Sequence, residues 1–526
     1  KEHLVSENKY ASPELVNRME SLGIDVEMAT SILEDYNRGR FDNLEPVEAS
    51  EIPGIDGSTV IDSRGDRSIR IDAAEGRRRI SAIDESAAAI LPESGEVEVD
   101  NDTLRRIGLR LLPAVSYGVL NGGSATSYAD EKKNRSISGE LFELLREDFD
   151  ALAPKVSEKP KGVTPAFVQP DGSPGPSFLE LKMRHLLLAI RDYHREIGEA
   201  GGAGEGRRTA RGLVPGAPFF QMSSVNNDEE LAETYREYRE SPLLKDLIEE
   251  TGFDITEPLT GVQPMIAAYT HSEEGRPKGF FTRAFGEEGR PLPLPGGHGQ
   301  NFSVLREVYT ELRNRGKRFV YLGNVDNLGF TLDPVGIAYL ALSGKNAAFD
   351  FSFRTAIDVK GGILVRDQSG HLNCADIGPA ISKEEVFRVE ESGTPILFNC
   401  ATGLFDLDYL VPNLDRIVSD LPVRFSDQNK DAGRYSQAEQ VTWEVLGIID
   451  DYLVYGVEKW RRFLAAKMLI DTLMTSGRRL DNPNYPTAED PAEDLKRTAT
   501  LLHQGLERAL REEYGMELRG DRWQPV

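Results

Sequence analysis

The chain has 526 residues, of which 62 are basic and 87 are acidic, and it carries a formal net charge of −25. A chain of this length exceeds one ordinary hydrophobic core, so we expect one large domain with smaller appendages. The negative charge opposes non-specific attraction to nucleic acid and to anionic membranes, because both are polyanions. An anionic substrate therefore needs local cations and backbone amides.

Only two cysteines occur, Cys374 and Cys400. They are too few for a disulfide framework and lack the spacing of a zinc site, so the predicted compartment is a reducing cytoplasm. No apolar run approaches the roughly 20 residues needed to span a bilayer, and no membrane partner is expected.

Residues 1–110 are predicted to form a helical and short-strand region. From Ser12 to Asn37, apolar residues recur at helical spacing, with Gly23 as an interruption. Between residues 49 and 100, the stretches STVIDS, SIRIDA and RRISAI alternate apolar and polar residues between turns, which predicts short strands.

Residues 111–435 are predicted to form a central α/β domain. Strand-like and helix-like segments alternate there in the order AVSYGVL, SFLELKMRHLLLAIRDYHREIG, PFFQMSS, LLKDLIEETG, RFVYLGNVDNLG and VGIAYLALSG. This alternation predicts a mostly parallel sheet that binds ligands outside the carboxyl ends of its strands. Ser177 and Glu180 predict a capping box at the start of a helix. The Pro- or Gly-rich stretches 160–176 and 198–212 are predicted to be surface loops.

Residues 436–526 are predicted to form a helical C-terminal cap. Helical spacing continues through SQAEQVTWEVLGIIDDYLV, WRRFLAAKMLIDTLM and DLKRTATLLHQGLERALREEYG. Lys467 lies in the second of these stretches among apolar residues, where it either extends to solvent or reaches a phosphate.

The stretch YGVLNGGSATSYADEKKN, residues 117–134, follows the first predicted strand of the α/β region. It matches neither a Walker loop nor a dinucleotide-binding G-x-G-x-x-G motif. Gly122 and Gly123 expose backbone N–H groups at the strand end, where an anion can approach closely. Lys132 and Lys133 add local positive charge. A simple Gly-Gly turn is an equally weighted alternative.

Two further stretches place polar groups among glycines or at a strand end. LPLPGGHGQNF, residues 292–302, presents His298 between glycines, which favours a contact with a ligand hydroxyl or phosphate. VYLGNVDNLGF, residues 320–330, ends a strand in Asn324 and Asp326, and such oxygen ligands suit Mg²⁺ bound together with substrate phosphates. An ordinary Asx-rich turn is the alternative for the second stretch.

Taken in order, these stretches resemble the UDP-sugar pyrophosphorylases, and most closely the UTP–glucose-1-phosphate uridylyltransferase family. LNGGSAT is similar to the family's L-N-G-G-L-G-T, GGHG to its P-G-H-G, and NVDNLG to its N-x-D-N-L-G. Weaker matches are FFQMSSV, TGVQPMI, DVKGGIL, LFNCATGLFDL, YSQAEQ and RRFLAAKMLIDTL. The resemblance covers residues 111–475, with Ser124 and Ala125 as departures in the glycine stretch. The family's C-terminal β-helix has no counterpart in the sequence.

The resemblance implies a Rossmann-like, GT-A-like nucleotidyltransferase fold, with a mixed sheet flanked by helices. It implies that UTP and a sugar 1-phosphate, glucose 1-phosphate first, give a UDP-sugar and pyrophosphate with Mg²⁺ as cofactor. The implied catalytic residues are Lys467, Lys132 and Lys133, the last two being alternatives. The implied nucleotide-binding residues are Leu120, Asn121, Gly122, Gly123, Met222, Gln263 and Gly297. The implied substrate-binding residues are His298, Asn324, Asp326, Lys360 and Asn399, and Asp326 also holds the metal.

Other functions stay open at this point. A UDP-N-acetylhexosamine or broad-specificity UDP-sugar pyrophosphorylase would share most of the motifs, although we expect Gly-Asn-Gly-Gly in the former where this chain has Gly-His-Gly. A non-catalytic nucleotide-sugar-binding relative is kept open by Ser124 and Ala125. A monomer or a small homo-oligomer is expected.

Overall fold

The structure is a computed structural model that describes residues 9–42, 47–123, 128–157, 159–200, 218–253, 257–355, 357–358 and 361–526. The amino-terminal elements are α1 (Pro13–Ser21), α2 (Val26–Asn37), β1 (Ala49–Glu51), β2 (Val60–Asp62), β3 (Ile69–Asp72), α3 (Ala73–Ser81), α4 (Glu85–Ala88), β4 (Glu96–Val99) and α5 (Asn101–Leu111). The next elements are β5 (Val115–Leu120), α6 (Glu131–Arg135), α7 (Gly139–Val156), α8 (Phe178–Ala200), β6 (Phe219–Ser224), α9 (Asp228–Tyr238), α10 (Lys245–Thr251), β7 (Leu259–Gln263), β8 (Met265–Ala267), β9 (Tyr269–Thr270) and β10 (Pro293–Pro295).

The second half of the chain continues this alternation of helices and strands. Its first elements are α11 (Asn301–Val304), α12 (Arg306–Asn314), β11 (Phe319–Asn324), α13 (Pro334–Ser343), β12 (Ala347–Phe353), β13 (Gly362–Asp367), β14 (Leu372–Asp376), α14 (Lys383–Glu391), β15 (Leu397–Asp406) and α15 (Leu407–Asp420). Its last elements are β16 (Arg424–Lys430), β17 (Gly433–Glu439), β18 (Tyr452–Val457), α16 (Lys459–Arg462), α17 (Leu469–Thr475), α18 (Leu495–Glu512), β19 (Met516–Arg519) and β20 (Arg522–Pro525).

The central sheet has 11 strands among the described residues, and its main path runs β2, β18, β12, β15, β11, β5, β6, β7. Strands β11, β5, β6 and β7 run parallel, and so do β12, β18 and β2. Strand β15 is antiparallel to both β11 and β12. The sheet is therefore mixed and has helices on both faces, and the predicted α/β fold class is confirmed.

The strand register brings several side chains of the predicted site to one edge of the sheet. Leu120 lies opposite Asn324 across β5 and β11, and opposite Met222 across β5 and β6. Gln263, the last residue of β7, lies opposite Ser224 at the end of β6. Because these strands are parallel, their carboxyl ends meet, and the loops that follow them surround one space.

Two apolar clusters pack against the two faces of the sheet. One joins α5, α8 and α13 through residues such as Leu104, Leu187 and Ile337. The other joins α11, α12 and α15 to the opposite face, with Phe302 and Leu410 among its buried residues. The two faces of the sheet are thus covered, and the carboxyl ends of its parallel strands are where a ligand can bind.

The helix predicted at residue 177 forms, although only half of its capping box does. Ser177 Oγ accepts a hydrogen bond from the Glu180 N–H at 3.1 Å. The carboxylate of Glu180 accepts instead from the hydroxyl of Ser241, so it does not return to the helix N-terminus.

The amino-terminal helices α1 and α2 form as predicted and are separated at Gly23, whose φ is 72°. Side chains of Ser12 and Asp25 cap them. Their buried residues, including Met19 and Leu33, pack against β8. This helical pair therefore lies directly behind one wall of the sheet edge described above.

Four predictions of local structure are wrong, and the one at Lys467 is described with the candidate site. The stretch RRISAI (78–83) falls largely in α3 because the Asp72 carboxylate caps that helix, accepting from the Glu75 N–H at 2.9 Å. The predicted helix over 436–454 is replaced by β17, a 3₁₀ segment and β18. Strand β18 is buried along its whole length between β12 and β2, and such continuous apolar runs look alike in helices and strands.

The third wrong prediction concerns the loop 160–176, expected at the surface. Lys161, Thr164 and Phe167 in this loop are buried. The other predicted surface loop, 198–212, lies mostly outside the described residues.

Strands from both ends of the chain complete the central sheet, β2 from the first predicted segment and β18 from the last. The division of the chain into three domains, residues 1–110, 111–435 and 436–526, stays a prediction. Among the described helices, none has the length and apolar character needed to cross a bilayer.

Candidate active site

A cleft of about 550 Å³ opens at the carboxyl edge of β5, β6 and β11, which is a size typical of small-molecule sites. The predicted site residues that line it are Leu120, Gly122, Gly123, Met222, Gln263, Gly297, His298, Asn324 and Asp326. Its other lining residues are Pro160, Lys161, Ser224, Asn226, Asn227, Met265, Pro293, Pro295 and Val325. Residues from six separated parts of the chain therefore meet in one space.

The glycine loop, which we define as Leu120–Gly123, forms one wall of this cleft. Asn121 is the one residue of this loop that does not line the cleft. Its side chain is buried, and its Nδ2 donates to Gln221 Oε1 at 3.3 Å. The backbone oxygen of Asn121 accepts from Asn227 Nδ2 at 3.0 Å. Asn121 thus anchors the loop from behind rather than facing the cleft. Residues 124–127, which include the departures Ser124 and Ala125, lie outside the described residues.

Lys161 is a site residue that the sequence did not predict. Its backbone N–H donates to the oxygen of Gly123 at 3.0 Å, which places it beside the glycine loop. Its ammonium group donates to the Ala466 oxygen at 2.6 Å and lies 4.0 Å from Asp326 Oδ2. Burial lowers the pKa of Lys161 to about 8, and the nearby Asp326 carboxylate opposes this change. The cleft therefore contains a desolvated cation beside exposed backbone amides.

Tyr128 and Gly162 hold Lys161 in this position. The Lys161 Nζ lies 3.5 Å from the centroid of the Tyr128 ring, a distance typical of cation–π contacts. The Tyr128 hydroxyl is 2.6 Å from Thr472 Oγ1. A Cβ atom on Gly162 would lie 2.4 Å from Asn121 Oδ1, so only glycine lets the lysine segment approach the glycine loop this closely.

Lys132 and Lys133, the two alternative catalytic lysines predicted from the sequence, lie on the short helix α6. Both are exposed on the short surface helix α6, and neither is among the residues that line the cleft. Along the chain, helix α7 separates these two lysines from Lys161. The contact of either lysine with a nucleotide stays a prediction.

Asp326 and Asn324 face the cleft, whereas the adjacent Asn327 points into the protein. Asn327 Oδ1 accepts from the N–H groups of Gly329 and Leu464, each at 2.9 Å. Asp326 has a side-chain exposure of 20%. Burial raises the pKa of Asp326, and the charges of Lys161 and two further lysines counteract this change.

The region around Lys467 differs from the predicted helix. Helix α16 ends before Lys467 and α17 begins after it, since the Asp471 carboxylate accepts from the N–H groups of Lys467 and Met468 at 3.0 and 2.8 Å. The Lys467 side chain is exposed. Its charge acts on both His298 and Asp326, so it lies near the cleft without lining it. Its catalytic role stays a prediction.

The two remaining predicted substrate-binding residues are Asn399, which is not among the described residues that line the cleft, and Lys360. Asn399 is half-buried on β15, where its Oδ1 accepts from the Ala401 N–H at 2.9 Å. Lys360 lies outside the described residues. Their roles stay predictions.

His298 is held in one orientation by Thr442. The Thr442 N–H donates to His298 Nδ1 at 3.2 Å, and the Thr442 hydroxyl donates to the His298 backbone oxygen at 2.9 Å. The same Nδ1 lies 2.7 Å from Thr442 Oγ1, and whether it donates or accepts there depends on the tautomer of the ring. The contacts with Thr442 therefore fix the position of the ring in the wall of the cleft.

We expect His298 to stay neutral throughout the physiological pH range. Burial, with help from the Lys467 charge, lowers its pKa to about 4. A histidine NMR titration should show the His298 signal changing only near pH 4. The variant Lys467→Met should raise this midpoint, because a positive charge that disfavours the imidazolium is removed. A midpoint near the ordinary histidine value would contradict the described environment.

Gly297 and Gly299 allow the His298 loop to pack against the chain at Gln440. The Gly299 N–H donates to the Gln440 oxygen, and the Gln440 N–H donates to the Gly296 oxygen, both at 2.9 Å. A Cβ atom on Gly297 would lie 2.3 Å from the Gln440 oxygen, and the φ of Gly297 is 82°. Both geometry and space thus require glycine there.

Replacing Gly297 by alanine should displace the His298 loop, because strain of about 1–3 kcal/mol is relieved by movement. It should also weaken the UTP binding that the resemblance implies by about tenfold or more. Calorimetric titration with UTP measures this loss. Gly65→Ala is the matched control, since a Cβ there meets no atom within 4 Å. Equal UTP affinity in the Gly297 variant and the wild type would contradict the prediction.

The donor set fits a magnesium ion only in combination with substrate phosphates. Asp326 is the single carboxylate among the described residues that line the cleft. The described residues contain no group of three His, Cys, Asp or Glu side chains that could hold a metal by themselves. Mg²⁺ commonly binds through one or two carboxylates and the phosphates of the substrate.

Comparison with known proteins gives the context of this cleft. Residues 287–500 match the family model of UTP–glucose-1-phosphate uridylyltransferase. A Schizosaccharomyces pombe protein named "Probable UTP--glucose-1-phosphate uridylyltransferase" is 24% identical over 205 residues, which cover 39% of this chain and 33% of the relative. The resemblance to the UDP-sugar pyrophosphorylases is confirmed. The matched part spans about a third of the length of that curated relative.

Solved structures extend the likeness of the fold beyond the matched sequence. The UDP-glucose phosphorylase of Trypanosoma brucei superposes with a TM-score of 0.52 at 16% identity, covering 91% of this chain and 80% of that one. A variant of UDP-glucose pyrophosphorylase from Leishmania major superposes with a TM-score of 0.51 at 15% identity, covering 93% and 81%. At these identities the likeness shows the fold alone. The glycine loop and Lys161 lie outside the residues matched by the family model, so the cleft geometry itself must support their roles.

Proposed function

We propose that this protein transfers a uridylyl group from UTP to a sugar 1-phosphate, with glucose 1-phosphate as the preferred acceptor and Mg²⁺ as the cofactor. The observation that carries the proposal is the meeting of the glycine loop, Lys161 and Asp326 in one cleft, with the Lys161 Nζ 4.0 Å from Asp326 Oδ2. A nucleoside triphosphate and its metal are typically bound by backbone amides, a cation and a carboxylate. The cleft contains all three.

The reaction needs no protein nucleophile. A phosphate oxygen of the sugar 1-phosphate attacks the α-phosphorus of UTP, the new P–O bond forms, and the bond to the β-phosphate oxygen breaks so that pyrophosphate leaves. The protein therefore acts by positioning two polyanions and by stabilising the charge that develops at the α-phosphate. Lys161, Gly122 and Gly123 line the cleft. In the proposed reaction, Lys161 would supply that charge and the N–H groups of the two glycines would hold phosphate oxygens.

The remaining lining residues divide between the base and the acceptor. Gln263 offers its side-chain amide to the uracil, and Leu120 and Met222 form the apolar surface against which the nucleoside packs. His298 offers its ring Nε2, and Asn324 its amide, to the acceptor. Asp326 would hold Mg²⁺, which neutralises phosphate charge when bound.

Release of pyrophosphate from UTP and Mg²⁺ with separate sugar 1-phosphates tests this function. Glucose 1-phosphate should be the best acceptor among glucose, galactose, pentose and N-acetylglucosamine 1-phosphates. Faster release with N-acetylglucosamine 1-phosphate would overturn the choice of sugar, and similar rates with all would indicate a broad-specificity enzyme. No release with any acceptor, despite binding of UTP, would indicate a non-catalytic relative.

Location and assembly belong to the same proposal. The cytoplasmic location predicted from the two cysteines, and the predicted monomer or small homo-oligomer, would be tested by fractionation of cells and by light scattering of the purified protein.

A further inference from the structure

We propose that Gln300 determines the choice of nucleobase by fixing the orientation of the Gln263 side-chain amide. The inference rests on the proposed function, because it concerns the base of the nucleotide that the cleft would bind. It assigns a positioning role to a residue that does not itself line the cleft.

The Gln263 amide nitrogen has both of its hydrogens engaged. Nε2 donates to the Gly297 backbone oxygen at 2.9 Å and to Gln300 Oε1 at 2.8 Å. A backbone carbonyl oxygen can only accept, so the nitrogen of the Gln263 amide must be the atom on that side. With two acceptors on the nitrogen, no N–H of this amide is left for a ligand.

The oxygen of the same amide therefore faces the cleft. A Cβ atom on Gly122 would lie 3.0 Å from Gln263 Oε1, which places this oxygen beside the glycine loop. Gln263 and Gln300 are 5% and 3% exposed. In such a buried position an unpaired polar group is costly, so the orientation of the amide is strongly specified.

An amide that offers only an acceptor distinguishes the two pyrimidines. Uracil carries a hydrogen on N3 and can donate it to Gln263 Oε1. Cytosine has a lone pair on N3, so it would bring an acceptor against an acceptor. A Gln263 amide that could rotate would offer either group and would discriminate less.

The amino-terminal helices complete this arrangement. Gln300 Nε2 donates to Met28 Sδ on α2 at 3.0 Å. The nitrogen of the Gln300 amide is thereby directed to Met28 and its oxygen to Gln263. A Cβ atom on Gly296 would lie 2.3 Å from Gln300 Nε2, so the Gln300 side chain is tightly enclosed. This places α2 behind the base-reading residue.

Two variants of Gln300 separate base selection from general support of the fold. Gln300→Met keeps the length of the side chain but removes the acceptor for Gln263 Nε2, whereas Gln300→Glu keeps an acceptor there. Calorimetric titration of each full-length protein with UTP and with CTP gives the ratio of the two dissociation constants. We expect the wild type and Gln300→Glu to bind UTP more tightly than CTP. In Gln300→Met, the ratio of the CTP dissociation constant to the UTP dissociation constant should fall about tenfold.

Met28→Leu provides a second measurement with a volume-conserving change. It removes the acceptor for Gln300 Nε2, and we expect it to lower the UTP preference by about threefold. An unchanged preference in Gln300→Met and Met28→Leu, or equal losses of affinity for UTP and CTP, would overturn the inference while leaving the proposed function intact. A wild type that binds neither nucleotide would overturn the proposed function, and this inference with it.

Discussion

Replacing Lys161 by methionine is expected to lower kcat by about 10²–10³-fold, because it removes the preorganised charge that we propose acts on the reacting phosphate. Methionine retains the apolar length of the side chain against the Tyr128 ring, so the loss is mainly one of charge. The affinity for UTP should fall less than kcat does, since a charge that acts on the transition state contributes little to uniform binding. Steady-state pyrophosphate release and calorimetric titration with UTP measure the two effects.

Lys132→Met and Lys133→Met are the matched controls for this experiment. Both lysines are exposed on α6 and line no part of the cleft, so turnover should stay within about twofold of the wild type. A Lys161 variant with normal turnover beside an inactive Lys133 variant would reverse the assignment. Circular dichroism of the Lys161 variant should match the wild type, which separates loss of chemistry from loss of fold.

The sheet edge could be predicted from the sequence because its signals are local. Each functional stretch follows a short apolar strand, and glycine or Asx residues mark where the strand ends. Parallel strands bring such ends together, and the register does so here for Leu120, Met222 and Asn324. Leu120, Gly122, Gln263, His298 and Asp326 thus meet in the predicted place.

Lys161 could not be found in this way, since the contacts that place it are distant in sequence. Lys132 and Lys133 are much closer to the glycine loop along the chain than Lys161 is, so local spacing favours them as the phosphate-binding lysines. Helix α7, which follows the two lysines, packs with α17 in one apolar cluster that includes Leu145 and Leu473. The burial of Lys161 depends on Tyr128 and Ala466, and no pattern of local spacing records those contacts.

The same reason explains the wrong helix at Lys467. Its apolar neighbours have helical spacing, but Ala465 forms a β-bridge with Asn327, and Asn327 Nδ2 donates to the Arg462 oxygen at 3.1 Å. A Cβ atom on Gly329 would lie 2.3 Å from the Arg462 carbonyl carbon, so the two segments are in direct backbone contact. Tertiary contacts with the Asp326 loop therefore determine the conformation of the segment around Lys467. They override the intrinsic helix propensity of its residues.

The anchor of this segment is a buried ion pair, and breaking it gives the largest expected loss of stability. Arg462 Nε and Nη2 donate to Asp350 Oδ2 at 3.0 and 2.8 Å, and Nη1 donates to Thr331 Oγ1 at 2.8 Å. The side chains are 11% and 5% exposed. Arg462→Met should lower the free energy of unfolding by about 3–5 kcal/mol, because it leaves the Asp350 carboxylate buried without its partner.

The double variant Arg462→Met/Asp350→Leu should recover much of this loss, since two apolar side chains of similar volume need no mutual charge. Urea unfolding followed by tryptophan fluorescence gives the free energies for a double-mutant cycle. If Arg462→Met alone unfolds at the wild-type urea concentration, the ion pair does not hold the segment. If the double variant is stable but its turnover is low, the pair is needed for the position of the Asp326 loop rather than for stability, because the Arg462 backbone contacts that loop directly.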